Sequence, residues 1–187
     1  MNVKKSPSSN LKFLVLATLL WGLVAPWASA GPAQEAELAE KEFARGDLIA
    51  ALGLWRKSAQ EGFAPAQVRL ADMLDKAEED EEAVVWYRKA ATQGDAAGEF
   101  GLGQMYAKGE GVKKDVAQAR AYVLRAAEQN HPPAVQLMMD AYRSGGLGLS
   151  VDLVQADLWE ARVLALIPAY KKSLPKAPAT TKKGSTK

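Results

Sequence analysis

The chain has 187 residues, with 24 lysines and arginines against 22 aspartates and glutamates, no cysteine and a single histidine, His131. This length and a hydrophobic content of 48% are ordinary for one globular domain. The lack of cysteine excludes disulfides, iron–sulfur clusters and cysteine nucleophiles, and one histidine cannot supply a structural zinc site. We therefore expect neither a metal nor another cofactor.

Residues 1–30 have the composition of a secretory signal. Three lysines accompany an apolar run over residues 11–27, and the small residues Ala28, Ser29 and Ala30 follow it. This order predicts a signal peptide cleaved before Gly31, and hence a periplasmic protein. The alternative is an uncleaved inner-membrane anchor, but the apolar run is at the short end of the ~17–25 residues that a spanning helix uses.

The charges are distributed unevenly once residues 1–30 are set aside. Residues 31–168 carry 15 basic and 22 acidic residues, whereas residues 169–187 carry six lysines and no acid. An acidic body repels phosphates, so we expect no binding to nucleic acid. The composition of residues 169–187 predicts a disordered, lysine-rich tail, which is a candidate for peripheral contact with acidic envelope surfaces.

The body of the chain repeats itself. Matched alanines recur at spacings of 32, 36 and 37 residues: Ala51, Ala83, Ala119 and Ala156. Large side chains stand three positions after each alanine: Leu54, Trp86, Tyr122 and Trp159. A second matched set precedes these half-units: Leu70, Leu102 and Met138. The offsets within each half-unit place its matched residues on one face of a helix, so each unit is predicted to be a helix pair.

Capping residues indicate where these helices begin and end. Asp115 and Asp152 are each followed three residues later by glutamine, and each stands directly before an apolar periodic run. This capping-box pattern predicts that the second helix of a pair begins at each aspartate. Gly62, Gly94 and Asn130 stand where a helix must end with a positive φ.

These boundaries define the predicted organisation. The fold class is all-α, an α-solenoid of about four helix-turn-helix repeats. The repeat domain covers residues 31–168, with units at about 35–62, 63–93, 94–129 and 130–167.

The third unit carries a family resemblance. Residues 102–115 read L-G-Q-M-Y-A-K-G-E-G-V-K-K-D, and the A-x-x-Y…A-A half follows over residues 119–127. Both resemble the Sel-one-like (Sel1-like) repeat, a subclass of the tetratricopeptide repeat. The fourth unit fits with one inserted residue, the second is shortened at its loop, and the first looks more like an ordinary tetratricopeptide unit.

The resemblance implies a curved solenoid that binds other proteins, and an exported bacterial member of the family. Many such members act as scaffolds at the bacterial envelope. One exported branch has helix pairs joined by disulfides, and some of its members are linked to β-lactam binding or hydrolysis. Because this chain has no cysteine, that activity is not carried over to it.

Candidate binding residues are those at equivalent but polar positions. Asp72, Gln104 and Asp140 each follow a matched core residue of a first helix by two positions. Stacking of the repeats would align them on one surface, which in solenoids is the binding side. The other interpretation is plain solvent-facing polarity.

Other motifs favour structural roles. The residues Trp55, Trp86, Tyr122 and Trp159 are predicted to be core rather than a saccharide-stacking row. The glycines of the loop at residues 109–114 are explained as turn residues rather than a phosphate cradle. The S-x-x-K spacing of Ser173 and Lys176 lies in the tail, without the context of a catalytic site. We therefore predict no catalytic residue and no enzyme activity.

The sequence thus predicts an exported, non-catalytic repeat scaffold that binds a protein or peptide in the periplasm or envelope. The alternatives are a cell-wall accessory or enzyme that acts on peptidoglycan or another saccharide, and a membrane-tethered adaptor whose signal is not cleaved. The oligomeric state is left open.

Overall fold

The computed structural model describes residues 31–170, which contain eight α-helices and no strand. The helices are α1 (Pro32–Arg45), α2 (Leu48–Gln60), α3 (Ala64–Lys76), α4 (Asp80–Thr92), α5 (Ala96–Lys108), α6 (Val116–Glu128), α7 (Pro132–Ser144) and α8 (Leu153–Leu166). The all-α repeat prediction is confirmed. The predicted signal peptide at 1–30, and Ser173 and Lys176, lie outside the described residues.

The helices form four antiparallel pairs that stack in chain order. Each helix packs against the next, and α3 also packs against α5, the first helix of the following pair. First helices (α1, α3, α5, α7) therefore form one layer of the solenoid, and second helices (α2, α4, α6, α8) form the other. No helix within residues 31–170 is both long and apolar enough to cross a membrane.

Aspartates cap half of the helices. The Oδ1 atoms of Asp115 and Asp152 each accept a hydrogen bond at 3.0 Å from the backbone N–H three residues on, as predicted. Asp47 and Asp95 do the same for α2 and α5, at 2.9 and 2.8 Å. Each cap satisfies a backbone donor that has no partner within its helix.

Turns between helices use left-handed backbone where the sequence predicts it. Gly62, Gly94 and Asn130 have φ values of +92°, +78° and +62°. Glu78, between α3 and α4, also has a positive φ of +61°, which the sequence did not indicate. A non-glycine residue in this region is uncommon, so the shortened second unit carries local strain at this turn.

The core is built from small residues framed by larger ones. The four matched alanines Ala51, Ala83, Ala119 and Ala156 are each completely buried, and so are Leu70 and Leu102. Met138 of the same matched set is 1% exposed. Both matched sets of residues therefore lie in the core, as the repeat alignment predicts.

The aromatic prediction needs correction. Trp55 and Trp86 are buried, at 2% and 7% exposure, but Tyr122 and Trp159 are only partly buried. Trp55 also occupies a different repeat position, four rather than three residues after the matched alanine. Tyr122 and Trp159 pack at the edge of the core clusters. An arginine covers one face of each ring, 4.2 and 4.5 Å from ring centroid to guanidinium carbon.

The folded body extends into the predicted tail. Tyr170 packs against the apolar cluster of α7 and α8, and its hydroxyl lies 3.7 Å from the sulfur of Met139. The ordered chain therefore passes residue 168, the predicted end of the repeat domain. Residues 171–187 lie outside the described region.

Gly111 shows why the loop of the third unit is rich in glycine. Its φ is +59°, and a Cβ atom built there would lie 2.3 Å from the backbone oxygen of Asp80. The loop therefore rests directly on the start of α4 in the preceding unit. This contact explains the glycine without a phosphate ligand.

We predict that Gly111→Ala destabilises the protein by at least about 2 kcal/mol, because the methyl group collides with rigid backbone and the residue must keep a positive φ. Urea unfolding followed by circular dichroism measures the change. Gly53→Ala in α2 is the matched control. A Cβ there meets no atom within 4 Å, so the substitution should stabilise the protein by about 0.5–1 kcal/mol. Equal effects at the two positions would contradict this explanation of the loop.

Candidate functional site

The predicted binding residues lie on successive first helices. Asp72 is on α3, Gln104 on α5 and Asp140 on α7, at equivalent positions of their repeats. Gln104 and Asp140 are exposed, and Asp72 is half-buried. The stacking places all three in the layer of first helices, and their role in binding stays a prediction.

Asp72 differs from the other two because it has a structural partner. Its Oδ1 atom accepts a hydrogen bond of 2.7 Å from the hydroxyl of Tyr87 on α4. Tyr87 is 4% exposed, and its ring lies over Gly101, where a Cβ atom would be 2.3 Å from the ring. Burial and the bond to the Asp72 carboxylate raise the pKa of the Tyr87 hydroxyl. Asp72 therefore holds α3, α4 and α5 together in addition to any contact it makes with a partner.

Two adjoining cavities open along the first helices. The larger, about 410 Å³, lies between α1 and α3, and Trp55 lines it from α2. The smaller, about 260 Å³, lies between α3 and α5 and includes Asp72. Pro65 and Arg69 line both cavities. We call the two together the first-helix groove; its lining residues are Ala33, Ala36, Glu37, Glu40, Trp55, Phe63, Pro65, Ala66, Val68, Arg69, Asp72, Asp95 and Ala97.

The lining of this groove combines apolar surface with negative charge. Glu37, Glu40, Asp72 and Asp95 carry carboxylates, and Arg69 is the single cation among the lining residues. The Arg69 guanidinium donates two hydrogen bonds to Glu40, at 2.8 and 3.2 Å. Lys41, outside the lining, lowers the pKa of Glu37, which therefore stays ionised near neutral pH. The groove thus suits an extended, partly apolar ligand with positive charge.

The second helices carry a row of cations. Lys57, Lys89, Arg125 and Arg162 occupy one equivalent repeat position. The ammonium of Lys89 lies 3.8 Å from the ring centroid of Trp86, and Arg125 and Arg162 lie similarly over Tyr122 and Trp159. These rings are therefore covered on one face, which leaves less of them for stacking on a sugar.

A row of buried polar side chains on the first helices meets these cations. Glu35, Gln67 and Glu99 recur every 32 residues and are 3–4% exposed. The carboxylate of Glu99 accepts bonds from Arg125 Nε at 2.7 Å and from Gln129 Nε2 at 2.8 Å, and Lys57 donates to Glu35.

Gln67 completes this row with two neutral bonds. It donates to the Ala59 carbonyl at 3.1 Å and accepts from Gln93 Nε2 at 2.8 Å. The row ties α1, α3 and α5 to second helices or their C-terminal caps. These residues were not among the predicted site residues, although their equal spacing beside matched core positions is a signal that the sequence contains.

The described residues offer no site for a metal. No group of three histidine, aspartate or glutamate side chains within residues 31–170 is placed to hold an ion. His131, at the N-cap of α7, packs against the Phe100 ring with 5.0 Å between centroids. Burial lowers the pKa of His131, so the imidazole is neutral near pH 7.

Comparisons with known proteins point to one family. A family model described as the Sel1 repeat matches residues 64–95 and 96–131. The fold is similar to the crystal structure of a Sel1 repeat protein from Oxalobacter formigenes, with a TM-score of 0.64 and 28% identity; the match covers 74% of this chain and 42% of that one.

Two further proteins are similar to this chain, and the description of one of them names the same fold. A protective antigen of uropathogenic Escherichia coli strains, described as displaying an SLR fold, matches with a TM-score of 0.63 and 31% identity, over 78% of this chain and 34% of that one. An uncharacterised protein of Neisseria meningitidis serogroup B is 29% identical over 128 residues, which are 67% of this chain and 27% of that protein. The chain therefore spans less than half the length of each of these relatives.

We predict that Tyr87→Phe lowers the free energy of unfolding by about 1–2 kcal/mol near pH 7, because it removes a hydrogen bond to a carboxylate. Folding raises the pKa of Tyr87, so above about pH 10 the unfolded chain releases this proton while the native chain keeps it, and stability falls as pH rises.

The Tyr87→Phe variant should therefore lose stability less steeply between about pH 9 and 11 than the unmodified protein. Urea unfolding at a series of pH values measures both effects. Tyr142→Phe is the control, since the Tyr142 hydroxyl bonds to none of the described residues. Parallel pH curves for all three proteins would contradict the assignment.

Proposed function

The chain is a Sel1-like repeat protein, and we propose from this that it is an exported, non-catalytic scaffold that binds a protein or peptide partner through its first helices. Sel1 repeat proteins generally mediate protein–protein interaction, and the repeat scaffold itself is generally non-catalytic. Export to the periplasm or envelope is supported by the signal-like composition of residues 1–30.

The first-helix groove is the observation that carries the binding proposal. It joins two cavities across three successive first helices, and its lining mixes alanine, proline and aromatic surface with charged groups. Pockets of this composition bury apolar side chains while their polar groups orient the ligand. Asp72 lines the groove, and Gln104 and Asp140 extend the same face of the solenoid toward its C-terminal end.

The saccharide alternative has weaker support. The rings suggested for sugar stacking are buried, as Trp55 and Trp86 are, or lie under an arginine, as Tyr122 and Trp159 do. Sugar recognition through stacking needs an accessible aromatic face. We therefore propose a polypeptide, rather than a saccharide, as the ligand.

We predict that a first-helix variant with Asp72→Asn, Gln104→Lys and Asp140→Lys loses the partner that residues 31–187 capture from an envelope extract. Asparagine at position 72 keeps an oxygen that accepts the hydrogen bond from Tyr87, so the core is preserved. The two lysines make the charge of the first-helix surface more positive. Quantitative mass spectrometry of the captured proteins is the measurement, and circular dichroism verifies that the variant is helical.

The control carries the same change in net charge on the second helices: Glu81→Lys, Ala117→Lys and Glu128→Gln, all at exposed positions. A partner retained by this control and by the unmodified bait, but not by the first-helix variant, is the expected result. Equal capture by all three baits would exclude the first-helix face, and capture of nothing would count against the scaffold function.

Export has its own test. We predict that the protein isolated from bacterial cells is found in the periplasmic fraction and begins at Gly31, because cleavage after Ala30 follows the small-residue rule for signal peptides. N-terminal sequencing gives the answer directly. A chain that retains residues 1–30 in the membrane fraction would instead support the tethered adaptor.

A further inference from the structure

The first-helix groove keeps an excess of negative charge after its ion pairs are counted. Four carboxylates face one guanidinium in its lining. That guanidinium is bonded to Glu40, and Lys41, outside the lining, pairs with Glu37 at 2.7 Å. Asp72 and Asp95 bond to uncharged groups, the Tyr87 hydroxyl and the Gly98 N–H. A cationic ligand would therefore gain electrostatic energy there that a neutral one would not.

The floor of the groove accepts small apolar groups. Ala36 and Ala66 are 8% and 0% exposed, and the side chains of Trp55 and Phe63 complete the wall of the larger cavity. Pro65 stands exposed at the junction of the two cavities. Side chains the size of alanine, proline or leucine fit such a surface, and an extended backbone places them at regular intervals.

One segment of this chain has the complementary composition. Residues 171–187 contain six lysines and no acid, and Leu174, Pro175, Ala177 and Pro178 flank the third of these lysines. Proline and alanine bring small apolar surface, and proline favours an extended backbone. The segment thus combines the charge and the side-chain sizes that the groove requires.

The segment also starts close enough to reach the groove. It follows Tyr170, which is held against Met139 of α7. Packed helices lie about 8–10 Å apart, so three steps across the layer of first helices from α7 to α1 amount to ~30 Å. Seventeen extended residues span up to ~56 Å.

We propose that the first-helix groove binds the chain's own lysine-rich segment, residues 171–187, with its lysines toward the groove carboxylates and its proline, alanine and leucine side chains over the apolar floor. This contact does not depend on an external partner, and it goes beyond the scaffold function proposed above. Any polypeptide that binds the same groove must then compete with the segment.

Paramagnetic relaxation in solution tests this contact. Because the sequence has no cysteine, Thr181→Cys in residues 31–187 carries a single nitroxide label at a defined site. The measurement compares backbone amide signal intensities with the label oxidised and reduced, at roughly 0.05 M and roughly 0.5 M salt, since screening shortens the reach of surface charges. Diluting labelled protein into isotope-labelled, spin-free protein separates contact within one chain from contact between two.

The expected result is selective loss of intensity for amides around residues 33–40, 65–72 and 97, with recovery at the higher salt concentration. Glu37→Lys with Glu40→Gln should abolish the loss. The control variant, Glu81→Lys with Glu128→Gln, changes the charge equally on exposed second-helix positions and should leave the loss intact.

A reciprocal variant keeps the test valid if the groove substitutions disturb folding. Lys172→Glu with Lys176→Glu alters only the segment and should likewise abolish the effect. When it is combined with Glu37→Lys and Glu40→Gln, part of the effect should return, because the charges are then opposite again. Broadening centred on another face, uniform broadening, or none at all would overturn the proposal.

Discussion

The close approach of neighbouring helices at small residues is the constraint on which the rest of this structure depends. One alanine in each second helix is completely buried, and Gly98 and Gly101 of α5 have no room for a Cβ atom against Ala90 and Tyr87. Because protein interiors are close-packed, a larger side chain at any of these positions would push adjacent helices apart. In this close-packed stack α3 also contacts α5, and the smaller cavity of the first-helix groove lies between these two helices.

Close packing buries polar as well as apolar groups, and the partners of these polar groups determine how the two layers of helices differ in charge. Glu35, Gln67 and Glu99 are buried on the first helices, so each needs a partner to offset the cost of leaving water. Most of these partners come from second helices, as Lys57 and Arg125 do. Lys57 and Arg125 are thereby engaged with buried acids, and Lys89, Arg125 and Arg162 lie over aromatic rings.

The layer of first helices keeps negative charge at its surface as a result. Its open cavities contain carboxylates and one arginine, whereas the lysine-rich part of the sequence lies beyond residue 170. If that segment occupies the groove, an external partner binds only the fraction of molecules in which the groove is free, and its apparent affinity is reduced by that fraction. The function proposed for the scaffold and the contact proposed for the segment are linked through this competition.

The sequence by itself determined the helix pairs, their caps and their stacking order. These features depend on short-range periodicity and on residues such as Asp115 and Gly94, whose preferred backbone geometry is local. It also placed Asp72, Gln104 and Asp140 at one equivalent position of the repeat, because stacking repeats preserves such a register.

Only the tertiary structure decided which polar groups meet across helices. The bond from Tyr87 to Asp72, the contact of Gly111 with the backbone of Asp80 and the cover of Arg125 over Tyr122 each depend on how side chains and loops are placed in the folded chain. Their partners are set by rotamers and interhelical distances that no spacing in the chain specifies. The shape and charge of the first-helix groove arise in the same way, since its lining comes from several helices brought together by packing.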